Sequence, residues 1–242
     1  MSKIKAETEL ANNAASTAIA VAEDQTLALS SDLGVDGDWD TSDIAIPYLS
    51  IVQKTSESPF PKGNIIWNRD HVIHTLGEKP MTVVFLQIRK EYVEDLPFGS
   101  DVKPRRFRSK HDAEAAGLCD KRVAAEGDPT YKPECVCLVL VPVPIEYSIT
   151  PYESLPEEFR IDEKTGWARA LWYVRGAGFY NVAKPVATAV TSGHLRDGVF
   201  HGKWALSTEY RTFGKNSTYL PKLRATGRVS DEGFQWISDN CL

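Results

Sequence analysis

Hydrophobic and polar positions follow two different patterns along this chain. Met81 to Tyr92 (Met-Thr-Val-Val-Phe-Leu-Gln-Ile-Arg-Lys-Glu-Tyr) starts as a nearly unbroken apolar, β-branched and aromatic run and becomes polar toward its end. A central strand that leaves the core for solvent has this profile. Cys135 to Val143 is a second apolar run, ended by Pro142 and Pro144, and predicts a second buried strand. Two later segments alternate instead. From Trp167 to Arg175 one face presents Trp167, Arg169, Leu171, Tyr173 and Arg175, and the other presents Ala168, Ala170, Trp172 and Val174. From Phe200 to Tyr210 the even positions give Phe200, Gly202, Trp204, Leu206, Thr208 and Tyr210. A period of two puts alternate residues on opposite sides of a sheet. Trp172 and Trp204 are therefore expected in the core, and the Trp167–Arg175 face is expected to carry aromatic and cationic side chains outward.

The remaining elements are shorter. The cluster Ile44-Ala-Ile-Pro-Tyr-Leu-Ser-Ile-Val marks where order should begin, and its Pro47 argues against a long helix. Gly63 to Trp67 predicts a short strand after the turn at Pro59 and Pro61. Tyr180 to Ser192 predicts a helix, kinked or started by Pro185 and ended at Gly193, and residues 216–229 predict a last strand. Residues 95–132 form a long excursion with many turn formers, and such excursions are usually functional or mobile. The inventory predicts a mainly β domain: an OB-like β-barrel of about five or six strands with one or two helices. A β-sandwich fits almost as well on strand count alone.

Composition narrows this picture. The chain has 242 residues, 42% hydrophobic and 25% charged, as in ordinary soluble globular proteins. No apolar run approaches the roughly 20 residues that span a bilayer, so no membrane partner is expected. Four cysteines in a chain this long do not suggest a disulfide framework, and a cytoplasmic setting is the default. The net charge of −5 is unevenly spread: residues 1–45 carry nine acids against Lys3 and Lys5, which leaves the rest at +2. Residues 1–42 are rich in small polar residues and read as a disordered acidic arm. A domain over 43–229 and a C-terminal tail over 230–242 follow.

One stretch stands out by charge. Lys103 to His111 places Lys103, Arg105, Arg106, Arg108 and Lys110 around Phe107 within nine residues. Unpaired cations are too costly to bury, so the run must face water or an anionic partner. Cations that neutralise phosphates gain free energy by releasing condensed counterions. With Arg169, Arg175, Lys203 and Arg211 they form the candidate set for a nucleic-acid backbone. Unpaired bases also expose flat faces on which aromatic side chains stack. Trp167, Tyr173, Phe107 and Tyr131 are the stacking candidates, weighed against ordinary core packing, which claims most large aromatics. A duplex reader would need a basic recognition helix, and the sequence has none.

Three segments resemble the OB-fold single-stranded DNA-binding proteins of bacteriophages. They are Ile46-Pro-Tyr-Leu-Ser-Ile-Val-Gln-Lys54 after an acidic low-complexity arm; a basic, Cys-containing connection into Cys135-Val-Cys-Leu-Val-Leu-Val-Pro; and Trp204-Ala-Leu-Ser-Thr-Glu-Tyr-Arg followed by Asn216-Ser-Thr-Tyr-Leu-Pro. The resemblance spans about residues 44–225. It implies sequence-independent coating of single-stranded DNA during phage replication or recombination, in the host cytoplasm. Replication or recombination proteins, and other copies of the chain, would be partners. The C-terminus departs from the family by lacking a long acidic tail. The alternative is a structural or accessory virion protein whose β domain mediates assembly.

Catalytic signatures are missing: the chain has no phosphate-binding glycine loop, no Gly-x-Ser-x-Gly and no His-Glu-x-x-His. No enzyme activity and no cofactor are expected. Cys135 and Cys137 share a strand face, and with Cys119 and either His111 or Cys241 they have the number of ligands for zinc. Their spacing matches no common zinc knuckle, and buried packing is the favoured reading.

Overall fold

The computed structural model describes residues 46–97, 100–214 and 216–242. The acidic arm lies outside the described residues. Within them the protein is mainly β, a single curled, half-barrel sheet accompanied by three helices. The strands are β1 (Tyr48–Ile51), β2 (Ile65–Trp67), β3 (His71–His74), β4 (Met81–Glu94), β5 (Arg106–Phe107), β6 (Cys119–Asp120), β7 (Thr130–Pro144), β8 (Thr165–Arg175), β9 (Gly202–Phe213) and β10 (Asn216–Arg228). The helices are α1 (Lys110–Ala115), α2 (Gly176–Thr191) and α3 (Asp231–Cys241). Ten strands replace the expected five or six: the short strand at Gly63–Trp67 is present as β2, and the unexpected β1, β3, β5 and β6 are only two to four residues long and leave no periodic trace.

The sheet runs β10-β9-β4-β7-β8-β1-β2-β3, with β5 added to β4 and β6 to β7. Neighbours are antiparallel except β1 beside β8 and β6 beside β7. The two unbroken apolar runs, β4 and β7, lie at its centre and bury side chains on both faces. Val83, Phe85, Cys137, Val139 and Val141 face the inner core with Trp172, Trp204 and Leu206. Val84, Leu86 and Leu140 face a second cluster, roofed by Trp236 and Ile237 of α3. Such double burial explains why these strands read as continuous rather than alternating.

Helix α2 buries Phe179, Val182 and Val186 in the inner core, at spacings of three and four residues that form one helical face. It starts at Gly176, not Pro185, and it carries Pro185 in its interior. Gly178 lets the helix approach β10: a Cβ there would lie 3.2 Å from Pro221 Cδ and 3.1 Å from Val174 Cγ1.

Two expectations about the ends of elements are corrected. The stretch 230–242 is not a tail but α3, begun by Ser230, whose hydroxyl accepts from the Gly233 N–H at 3.0 Å, and buried through Trp236, Ile237 and Cys241. The excursion over 95–132 is also built. It contains β5, α1 and β6 around a small core of Ala113, Leu118 and Tyr131. Asp95 clamps its two ends, accepting from Lys121 at 2.7 Å and Lys132 at 2.5 Å. Burial opposes the charge on Asp95, but the two lysines outweigh it and hold the carboxyl below its ordinary value.

Candidate nucleic-acid interface

The curl of the sheet leaves a seam, and the seam is a groove. β1 pairs with β8 only at Tyr48–Leu171 and Leu49–Trp172. Beyond that, the Tyr173–Arg175 edge of β8 faces β10 without a ladder. The gap is a groove of about 480 Å³, with Tyr48, Tyr173, Arg69 and Arg175 on one side and Tyr219 and Pro221 on the other. The rings of Tyr48 and Tyr173 are neighbours, 5.9 Å apart and tilted by 33°. A base cannot slide between rings this close, so stacking would use their outer faces.

Two arginines attend those rings. Arg69 lies 6.0 Å from the centre of the Tyr48 ring, and Arg106 lies 4.9 Å from that of Tyr173. Arg69 comes from the turn between β2 and β3, where Asn68 and Arg69 have φ of 51° and 70°. Tight turns between antiparallel strands use two such left-handed residues. For a residue with a Cβ, this conformation costs about 1–2 kcal/mol. Sequence reading missed Arg69 and Tyr48. The signal was the Asn68-Arg69-Asp70 punctuation between two short apolar runs.

A charge lattice borders the groove. Glu134 on β7 is fully buried and meets two guanidinium groups, Arg175 and Arg106, the latter 2.5 Å away. Arg106 Nη1 also donates to Glu91 at 2.9 Å, and Glu91 in turn holds Arg89 at 2.8 Å. Burial works against the charge of Arg106, but Glu134 and Glu91 prevail and raise its pKa. Three arginines against two carboxylates leave a net positive charge beside Tyr173.

Most of the other expected backbone cations are already paired. Arg105 donates to both oxygens of Glu94 at 3.0 Å, which holds that carboxyl below its usual range. Lys110 meets Glu114 at 3.3 Å, Lys203 meets Glu158 at 2.7 Å, and Arg211 meets Glu209 at 2.6 Å. Among the described residues, Lys103, Arg108 and Arg169 are exposed and have no carboxylate partner. The basic run is therefore less available to an anion than its composition implies. Only Arg175 of the expected cations lines the groove, with Arg106 next to it.

The stacking candidates also divide. Tyr173 borders the groove. Trp167 lies on the expected face of β8 but is only 1% exposed, and its indole N–H donates to the Phe159 carbonyl at 2.7 Å. Its end of the strand is covered by Phe159 and Trp236. Tyr131 is 3% exposed, packs edge-on against Tyr92 and donates to Glu114 at 3.2 Å. Phe107 is partly buried on the same small core. Trp167 and Tyr131 are thus core residues: Trp236 of α3, together with Phe159, roofs the first, and the preceding excursion with Phe107, Ala113 and Leu118 covers the second.

The cysteines do not converge. Cys135 and Cys137 are buried on one face of β7, their sulfurs 3.4 Å apart. Cys119 lies on β6 beside Asp128 and Pro129, and Cys241 ends α3, buried in the second cluster. Among the described residues no three of His, Cys, Asp and Glu are grouped to hold a metal ion. Nor is any described helix long and apolar enough to cross a membrane. Comparison with protein-family models, curated proteins and solved structures found no match.

Proposed function

We propose that this protein binds single-stranded DNA through the seam groove, without catalysis and largely without regard to sequence. The observation that carries the reading is the convergence of Tyr48, Tyr173, Arg69 and Arg175 on one open groove. Tyrosine faces accept any base, and arginines beside them accept the phosphates that follow. The connectivity supports an OB-like barrel as the finer description. A meander β4-β7-β8 leads through α2 into the hairpin β9-β10, and β9 returns to pair with β4. The phage setting, in replication or recombination, rests on the sequence resemblance. The rival reading is a structural or accessory virion protein that assembles through its β domain; edge-to-edge pairing at β10, one form of it, is disfavoured because Gln53 occupies Tyr219 and Pro221 has no N–H to offer.

The test is fluorescence-anisotropy titration of the full chain against labelled oligo-dT and a matched duplex at two salt concentrations. Single-strand preference is expected, with log affinity falling by about 0.7 per neutralised phosphate for each tenfold rise in salt. Tyr48→Ala and Arg69→Ala should each weaken binding at least fivefold, about 1 kcal/mol of stacking or phosphate contact, with unchanged thermal midpoints. Absence of binding to either form at low salt sinks the reading.

A further inference from the structure

A second cationic surface lies beside the groove, around Tyr180 of α2. Tyr180 is 59% exposed, and its ring stands edge-on to Phe179, 5.2 Å away. Two depressions meet at it. One, of about 450 Å³, runs between α2 and the β9-β10 hairpin and is bordered by Lys184, Arg211 and Lys222. The other, of about 440 Å³, runs between α2 and β4 and is bordered by Arg89, Lys90 and Lys184. Arg89 is held by Glu91 and Arg211 by Glu209. Among the described residues, Lys90, Lys184 and Lys222 have no carboxylate partner. Three uncompensated cations thus surround one exposed aromatic ring, whereas the arginines near Tyr173 share two carboxylates.

This surface continues the groove. Pro221 is a wall of the groove, and the next residue, Lys222, borders the depression between α2 and the β9-β10 hairpin. Gly178 lines the groove, and Tyr180 follows two residues later on α2. Between them lies a saddle where Gly178 approaches Pro221 and Asn181 donates to the Pro221 carbonyl at 3.0 Å. At about 3.3 Å per residue, Tyr219 and Lys222 are roughly 10 Å apart along β10. Building on the single-strand reading above, we propose that a strand leaving the groove crosses the saddle. It then sets phosphates on Lys184 and Lys222 and a base against Tyr180. Solvated surface lysines are the ordinary alternative, and they would give no dependence on strand length.

Length dependence is therefore the test, in the full chain. Oligo-dT of about six nucleotides, within the span of one OB barrel, and of about thirty nucleotides is titrated against wild type and Lys184→Glu/Lys222→Glu. The double variant should bind the long strand about tenfold more weakly, with a salt slope shallower by about 1.4 for two lost phosphates. Binding of the short strand should be unchanged. Tyr180→Ala should weaken long-strand binding about fivefold or more. All three side chains are exposed, so thermal midpoints should hold. Unchanged long-strand affinity, or equal losses at both lengths, overturns the extension alone. Wild type that binds neither length overturns the underlying reading, and the extension with it.

Discussion

Gln53, just after β1, ties that side of the curled sheet to the edge strand β10 through Tyr219. Its side-chain amide donates to the Tyr219 carbonyl at 2.8 Å and accepts from the Tyr219 N–H at 3.0 Å. A side chain here does what a neighbouring strand would do. Thr218 adds its hydroxyl to the same Gln53 oxygen at 2.7 Å, and Thr208 donates to the Gly63 carbonyl at 2.6 Å. Gly63, with φ of +88°, permits the approach, since a Cβ there would lie 2.8 Å from the Tyr219 ring.

Gln53→Ala should therefore cost more than an ordinary surface change. It strands a part-buried donor and acceptor on Tyr219, at about 1–3 kcal/mol. Urea unfolding reads this loss as a lower midpoint with an unchanged slope. A midpoint equal to wild type would show that the seam needs no such link.

Arg106 and Arg108, two residues apart in the basic run, should respond very differently to charge reversal. Arg106→Glu sets a carboxylate against the buried Glu134 and Glu91, and breaking such a pair costs roughly 3–5 kcal/mol. Arg108→Glu touches no carboxylate and should stay within about 0.5 kcal/mol of wild type. Thermal melts of the two variants decide the matter, and equal midpoints would remove Arg106 from the lattice.

Glu158 ties the segment before β8 to β9 and to the start of α3. It meets Lys203 at 2.7 Å and accepts from the Ser230 N–H at 2.9 Å. Burial pushes its pKa up, but Lys203 and Ser230 outweigh that, and the folded value lies below the ordinary 4.5. A depressed folded pKa contributes stability that is complete above the unfolded value and lost as pH falls through the folded one. Glu158→Gln should thus be less stable than wild type at pH 7, and the gap should narrow as pH falls below about 4.5. Chemical denaturation across that range tests it, and a gap constant with pH would contradict the assignment.

Much of the sheet was legible along the chain. The runs at Met81–Tyr92 and Cys135–Val143, and the alternation at Trp167–Arg175, correspond to β4, β7 and β8. Trp172 and Trp204 are buried as their parity requires. The site was less legible. Tyr173 and Arg175 were visible by parity, but Tyr48 and Arg69 come from short strands and a turn with no periodic pattern. Trp167 had the right face and the wrong environment, because α3 arrives from some seventy residues away to cover it.

Local pattern alone determined the long strands and, within an uninterrupted stretch of each, which side chains share a face, since pleat and period follow from backbone geometry within a few residues. Tertiary structure decided which faces meet solvent and which cations remain free. The extra residue in β4 between Phe85 and Gln87 shows why. Before it, Val83 and Phe85 point inward, while after it Ile88 pairs with inward-facing Cys137 and Arg89 stands outside. A single bulge reverses the parity of everything beyond it. The bulge, the roof of α3 and the pairing of Glu134 with two distant arginines all depend on what packs across the sheet, which no local window contains.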